Sequence, residues 1–504
     1  MSATGEQKNE FSKGKDAMRN VVLSFLLTLT LFGCAVGPNY HRPSVETPPS
    51  WRFEDKEARE VANTLWWEQF DDPVLNELIQ TVLKENKDLK IAAARVEEFM
   101  GRHATTRAEL FPQVGAGASA GRTRITEKGY APLSSAVENP YNDYRVILNA
   151  SWEIDVWGKL RRATEAARAE LLGTEEGRRA VILTLVTSVA SAYVNLRDLD
   201  KQLEIAKRTV DSREDNYSLF RLRFDVGVIS ETELYQAKSE YEQALVTVPF
   251  LEKVIAQQEN ALSVILGRNP GAIPRGKTTD EFVLPAVPAG LPSDLLANRP
   301  DIRQAEQELI TANARIGVAK SFYFPSISLT GLFGSASTDL SDLFSGPAKV
   351  WSFAAPLTAP IFTAGAIRGQ VRSAEAVQRQ ALVRYQQSIQ ASFRDVEDAL
   401  VDQRKSREQL EVQARRVESL RNYASLARVR FDQGYTGYIE VLDAQRSLFA
   451  AELAHAETKG VLFQALVNLY KAMGGGWVTE ADRLTDTTAD SKITKHALEV
   501  LHAN

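Results

Sequence analysis

Arg223-Phe224-Asp225-Val226-Gly227 recurs as Arg430-Phe431-Asp432-Gln433-Gly434, 207 positions further along a chain of 504 residues. At the same offset Glu233-Leu234 matches Glu440-Val441, Ala237 matches Ala444, and Leu266-Gly267 matches Met473-Gly474. Gly158-Lys159-Leu160-Arg161 aligns with Gly365-Ala366-Ile367-Arg368, and Asp88-Leu89 through Phe111-Pro112 aligns with Asp301-Ile302 through Phe324-Pro325. Matches kept in one order mark an internal duplication. Each half then has one plan: helix, strand pair, very long helix, glycine turn, long helix.

The long segments read as helix. No proline interrupts Lys159 to about Leu222 or Ala366 to about Val429, and both stretches are rich in Ala, Glu, Gln, Arg and Leu, which favour helix. Val371, Ala374, Leu382, Tyr385, Ile389, Val396 and Leu400 fall at spacings of three, four and their sums, a coiled-coil stripe. About 64 helical residues would span on the order of 95 Å at 1.5 Å per residue. Gly227 and Gly434 supply turns, since glycine is free to take positive φ, so each half makes an antiparallel hairpin of long helices.

The strand pairs show period two. Tyr144, Val146, Leu148, Ala150, Trp152 and Ile154 alternate with Arg145, Ile147, Asn149, Ser151, Glu153 and Asp155. Trp351, Phe353, Ala355, Leu357, Ala359 and Ile361 alternate with Ser352, Ala354, Pro356, Thr358 and Pro360. Val114 to Ala120 and Ile327 to Phe333 give fainter versions. Such runs suit strands with one apolar face and have the length a membrane-crossing strand needs. A soluble sheet with one face on a core would look the same. Four strands cannot close a membrane barrel, whose smallest form has eight, so a membrane reading requires an oligomer. Three copies give twelve strands and room for a channel.

Cys34 is the only cysteine. It follows the apolar run Val21 to Phe32 and Gly33, the pattern of a lipoprotein signal too short to span a bilayer as a helix. Met18-Arg19-Asn20 makes a tidier start than Met1, so translation is expected to begin at Met18. A buried or free thiol in an exported chain is the alternative. The mature chain would begin at Cys34 with acyl chains attached. Ala35 stands where an aspartate would favour retention in the inner membrane, which points to the outer one.

Net charge of −5 lacks the basic footprint of a nucleic-acid binder. No apolar run of 18 or more residues marks a transmembrane helix. The five histidines form no zinc-like spacing with cysteine or each other. Neither a phosphate-binding glycine loop nor a Gly-x-Ser-x-Gly elbow appears, so no catalytic residues are assigned. Four methionines form no thioether ladder for soft metals, and no metal site is assigned.

In these motifs the chain resembles the TolC family of outer membrane efflux channels, in its OprM/NodT-like lipoprotein branch. The resemblance rests on Cys34-Ala35-Val36-Gly37-Pro38-Asn39-Tyr40, Trp66-Trp67 with Phe70, Asp72-Pro73 and Leu75, Trp152 to Gly158, and Asn298 to Ile302. Pro360-Ile361-Phe362, Val441 to Arg446 and Gly474-Gly475-Gly476-Trp477 complete it. It implies an α+β membrane protein. A homotrimer would share a twelve-stranded outer membrane β-barrel and a long periplasmic α-helical coiled-coil barrel. It also implies a Gram-negative outer membrane location, docking to a periplasmic adaptor (a membrane fusion protein) and an inner-membrane transporter of RND type, and no enzymatic activity. No cofactor is expected, and the only attached group expected is the N-acyl and S-diacylglycerol lipid on Cys34. The function implied is the passive exit duct for small molecules in a tripartite efflux system. The alternatives are a type I protein-secretion duct and a non-conducting coiled-coil envelope lipoprotein.

The organisation expected is a signal peptide at 1–33, a lipidated extended segment at 34–64, a first repeat at 65–292 and a second at 293–477. In the first, the strand pair lies at about 113–156 and the hairpin at about 158–266. In the second they lie at about 326–362 and about 366–473. A polar, loosely packed tail follows at 478–504. Glu440 and Asp443 lie three apart, on one helix face just past the Gly434 turn. The resemblance matches them to an acidic pair at the closed periplasmic end of the family's tunnel, with Glu440 in place of the first aspartate. Arg446, one turn on, is expected to pair with Asp443 and hold the gate shut. The tips Arg223-Phe224 with Gly227, and Arg430-Phe431 with Gly434, are the expected adaptor contacts. Asp72-Pro73 reads as a helix cap, and Trp66 and Trp67 as packing.

Overall fold

The computed structural model describes residues 35–48, 50–52, 65–128, 138–283, 297–474 and 476–485. Cys34, the signal segment and Met18 lie outside the described residues, as do 486–504. Helices α1 (Pro73–Glu85) and α2 (Lys87–Ala108) lead into strands β1 (Gln113–Thr123) and β2 (Tyr141–Ile154). The hairpin of α3 (Lys159–Asp225) and α4 (Glu231–Ile265) follows. The second half runs α5 (Pro300–Ser321), β3 (Ser326–Ser337), β4 (Lys349–Ala354), β5 (Leu357–Thr358), α6 (Ala366–Asp432) and α7 (Tyr438–Met473). A last helix, α8, spans Trp477–Leu484. α3 and α6 are both 67 residues long. The chain divides into two compact units, one of residues 1–43, 98–172 and 306–384, the other of 44–97, 173–305 and 385–504.

The first unit holds the sheet, in the order β1-β2-β3-β4 with β5 also on β3. Every pairing is antiparallel, so directly paired residues share a face. Ala116, Leu148, Phe333 and Trp351 form one row across it, and Val114, Ala150, Gly331 and Phe353 form the next. The opposite face carries Gly115, Asn149, Leu332 and Ser352, then Gly117, Ile147, Gly334 and Val350. One face is thus apolar and aromatic, the other small and more polar. The apolar face is left uncovered: Trp351 is 69% and Phe353 80% exposed. Among the described residues β1 pairs only with β2, and β4 and β5 only with β3, so both sheet edges are open.

The strand expected from Trp351 to Ile361 is shorter than its alternation implies. β4 stops at Ala354 and β5 keeps two residues, Leu357 and Thr358. Pro356 has no N–H to give the ladder; its carbonyl still accepts from Ser328 N at 3.2 Å.

In the same unit, residues 35–42 are fastened to the first turns of α3 and to α5. Val36 N donates to Trp157 O at 2.9 Å, Asn313 Nδ2 to Pro38 O at 2.9 Å, and Arg162 Nη2 to Asn39 Oδ1 at 2.7 Å. Tyr40 Oη and Arg42 Nη2 both reach the Glu306 carboxylate, at 2.9 and 2.6 Å.

The second unit packs on aromatics. Trp66 stacks on Tyr470 at 4.8 Å and meets Trp67, Phe70 and Trp477 edge-on. Asp72 caps α1, accepting from Val74 N at 2.8 Å and Leu75 N at 3.3 Å. It also takes Tyr193 Oη at 2.9 Å and Lys277 N at 3.0 Å, so the cap doubles as a joint. Where a loose tail was expected from residue 478, the helix Trp477–Leu484 is packed against the fold. Trp477, Val478 and Ala481 are buried, and Asp482 accepts both Arg178 Nη1 and Nη2 at 2.8 Å. The short apolar face of α8 and a bidentate partner 304 residues away outweigh its polar composition.

Among the described residues one helix, α3, carries an 18-residue stretch apolar enough to cross a membrane by length and composition. Of that stretch 56% is buried within the fold, as in the core helix of a soluble domain.

Candidate functional site: the two hairpin tips

Both tips lie in the second unit and close with the same turn. In the first, Gly227 has φ +72°, Gly227 N donates to Phe224 O at 2.8 Å, and Val228 N donates to Arg223 O at 2.9 Å. In the second, Gly434 has φ +77°, Gly434 N donates to Phe431 O at 2.9 Å, and Tyr435 N donates to Arg430 O at 2.9 Å. Paired bonds of this kind satisfy the last helical carbonyls around a residue in the left-handed region. No atom lies within 4 Å of where a Cβ would stand at either glycine. Backbone conformation, rather than crowding, therefore selects glycine.

The tips differ in how the returning helix starts. Ser230 Oγ accepts from Glu233 N at 3.3 Å while Glu233 Oε2 accepts from Ser230 N at 2.8 Å, a reciprocal cap. The second tip has Gly437 at this place, with no side chain to cap α7. Glu440, the counterpart of Glu233, accepts instead from Thr436 Oγ1 and lies 3.3 Å from Arg430 Nη1. Asp443, an exposed residue, accepts from Tyr423 Oη at 3.4 Å. Desolvation first, then the charges of Asp443 and Glu440, push the Tyr423 phenol up.

Arg446 does not pair with Asp443. Its Nε donates to Glu240 on α4 at 2.5 Å. Glu240 is a buried carboxylate, with Arg213 Nη1 3.1 Å away on the other side. An acid withdrawn from water needs compensating charge more than an exposed one does, so Glu240 outcompetes Asp443 for the guanidinium. Burial first holds the Arg213 guanidinium below its usual range, with Glu240 opposing and Arg446 adding.

The two tips share a core of Phe220, Ala237, Ala427, Tyr438, Val441, Leu442 and Ala444. Phe220 lies 4.1 Å from the Tyr438 ring and stacks on Phe431 at 6.0 Å. Asn216 Nδ2 donates to Tyr438 Oη, and Arg428 Nη1 donates to Asn216 Oδ1 at 2.7 Å. Arg223 lies over the Phe220 ring at 6.0 Å. Phe431 is thus a packing residue as well as a tip residue, while Phe224, Val226, Val228, Tyr435 and Ile439 are exposed. The set Glu240, Arg213, Asn216 and Tyr438 was missed in the sequence; its one available signal is charged residues at core-facing helical positions. Among the described residues no group of three or more His, Cys, Asp or Glu side chains could hold a metal.

The sequence pattern that defines the outer membrane efflux proteins matches residues 78–268 and 291–475. The probable efflux pump outer membrane protein SepC of Pseudomonas putida is 37% identical over 473 residues, covering 91% of this chain and 98% of the relative. The toluene efflux pump outer membrane protein TtgF of the same species has the same identity and coverage. The solved CmeC outer membrane channel of Campylobacter jejuni superposes with a TM-score of 0.84 at 26% identity, over 90% of this chain and 99% of that one.

Proposed function

Because this chain belongs to the outer membrane efflux protein family and is the outer membrane channel of a tripartite efflux pump, we propose that it works as a lipid-anchored homotrimer. In this reading the trimer shares a twelve-stranded barrel and is gated at the second hairpin tip. The lipid is carried on Cys34, the pump is of RND type, and the cargo is small molecules moved without energy input from this subunit.

The observation that carries the trimer is the sheet. It has an apolar face left exposed and two open edges. In a bilayer every backbone N–H and C=O must be paired, so open edges must meet strands of other copies. Four strands, with β4 and β5 counted as one, are too few to close alone, eight leave a filled interior, and twelve leave a channel.

The gate is read from Glu440 and Asp443. Three copies place six carboxylates about one axis, where they repel one another and draw in cations. The exposed apolar residues of the tips, with Arg223, Phe224 and Arg430 beside them, offer the adaptor a contact surface. Single-channel conductance of the purified protein, beside Glu440→Ala/Asp443→Ala, tests this. A low, cation-preferring conductance that rises several-fold in the double variant is the expected result. Unchanged conductance would move the gate away from the acids, and inserted trimers that do not conduct would end the duct reading.

A further inference from the structure

Asp198 on α3 is only 6% exposed. Its Oδ2 accepts from Gln202 Nε2 at 2.9 Å, but its buried Oδ1 has no hydrogen-bond donor. Lys201 and Lys459 both pair with Asp280, at 3.1 and 2.8 Å, and Lys253 on α4 lies over the Phe250 ring at 5.3 Å. α7 comes this close because position 460 is glycine: a Cβ there would fall 2.9 Å from Asp198 Cγ. At the repeat offset Asp198 corresponds to Lys405 and Gly460 to Lys253, so the arrangement belongs to the joint of α3, α4 and α7 and is not a property of the duplicated scaffold.

Beside the carboxylate is a cavity of about 380 Å³, within the size range of small-molecule sites. Phe250, Leu251 and Val461 supply its apolar wall, and Asn195 and Glu457 supply polar groups. Burial pushes the Asp198 carboxyl up to about 6, with Gln202 opposing and Glu457 adding. A buried carboxylate with one unserved oxygen and a second acid nearby lacks a positive charge that carries an N–H.

We propose that this cavity binds a small primary ammonium ion with an apolar body. The ammonium donates to Asp198 Oδ1, Glu457 shares its charge, and the hydrocarbon rests on Phe250, Leu251 and Val461. The group of three or more acids or histidines that a metal would want is missing among the described residues, and the apolar wall favours an organic cation.

The test is calorimetric titration of the detergent-solubilised full chain with 2-phenylethylammonium chloride. Saturable binding is expected, at least about tenfold weaker in Asp198→Asn and several-fold weaker in Glu457→Gln. Neutral 2-phenylethanol should not bind, and tetramethylammonium, which has no N–H, should bind at least tenfold more weakly. Gly460→Ala, which drives a methyl group against Asp198 Cγ, is the second variant and should also weaken binding. Equal affinity in the wild type and Asp198→Asn, or no binding by the wild type at millimolar ligand, would overturn the proposal.

Discussion

The two hairpin tips are copies of one design put to different uses. Both end a 67-residue helix on Arg-Phe-Asp-x-Gly, and both turn on a glycine with φ near +75°. The first tip invests its glutamate, Glu233, in capping its own returning helix through Ser230. The second has Gly437 where that serine stood, and Glu440 faces Thr436 and Arg430 instead. Asp443 stands where the first copy has Gln236, and Arg446 where it has Ser239. Duplication therefore conserved the turn, which folding requires, and released the cap, whose replacement by glycine costs roughly a few tenths of a kcal/mol. Glu440, one of the two acids of the proposed gate, occupies a position thus released.

Breaking the asymmetric pair should have the largest effect. Glu240→Ala strands the buried Arg213 and is expected to cost about 3 kcal/mol, seen as a lowered midpoint of thermal unfolding. Ser447→Ala, at the corresponding place in the second hairpin, should stay within about 0.5 kcal/mol of wild type. Equal effects would mean that the joint does not depend on this ion pair.

A smaller change tests what the tips share. Gly227→Ala and Gly434→Ala should each cost about 1 kcal/mol, because only the left-handed backbone opposes a Cβ there. Unequal losses in denaturant unfolding would show that one turn is held by something beyond its own conformation.

The smallest expected effect sharpens the difference instead. Gly437→Ser rebuilds the missing cap with Glu440 in the partner role, for a gain of a few tenths of a kcal/mol. Drawing Glu440 into that cap should raise single-channel conductance, though less than the double alanine variant does. Conductance unmoved by a cap that demonstrably forms would separate Glu440 from the gate.

Local pattern made most of the fold legible. Proline-free, Ala- and Glu-rich runs give α3 and α6, and two Asp-x-Gly turns give the tips. Period-two alternation gives β2, and the register shows its apolar residues sharing a face with those of β3 and β4. Alternation failed at Pro356, where side-chain pattern persists but a ladder donor is lost. Polar composition failed at α8, whose anchor Arg178 is remote in sequence. Spacing suggested Asp443 as the partner of Arg446, three residues away. The actual partner, Glu240, lies 206 residues off on a helix whose packing no local pattern specifies. Asp198 was invisible for the same reason, since its burial depends on Gly460.

Residues 35–42 carry a mechanical consequence. Val36 is bonded to Trp157, and a Cβ on Gly158 would strike Ala35. A lipid on Cys34 would therefore be joined to the folded body through a single intervening residue, a reach of about 3.5 Å. Such an attachment is a rivet rather than a leash. It would fix the height at which the sheet meets the bilayer, and a few flexible residues inserted after Cys34 would let the channel ride up or down while remaining moored.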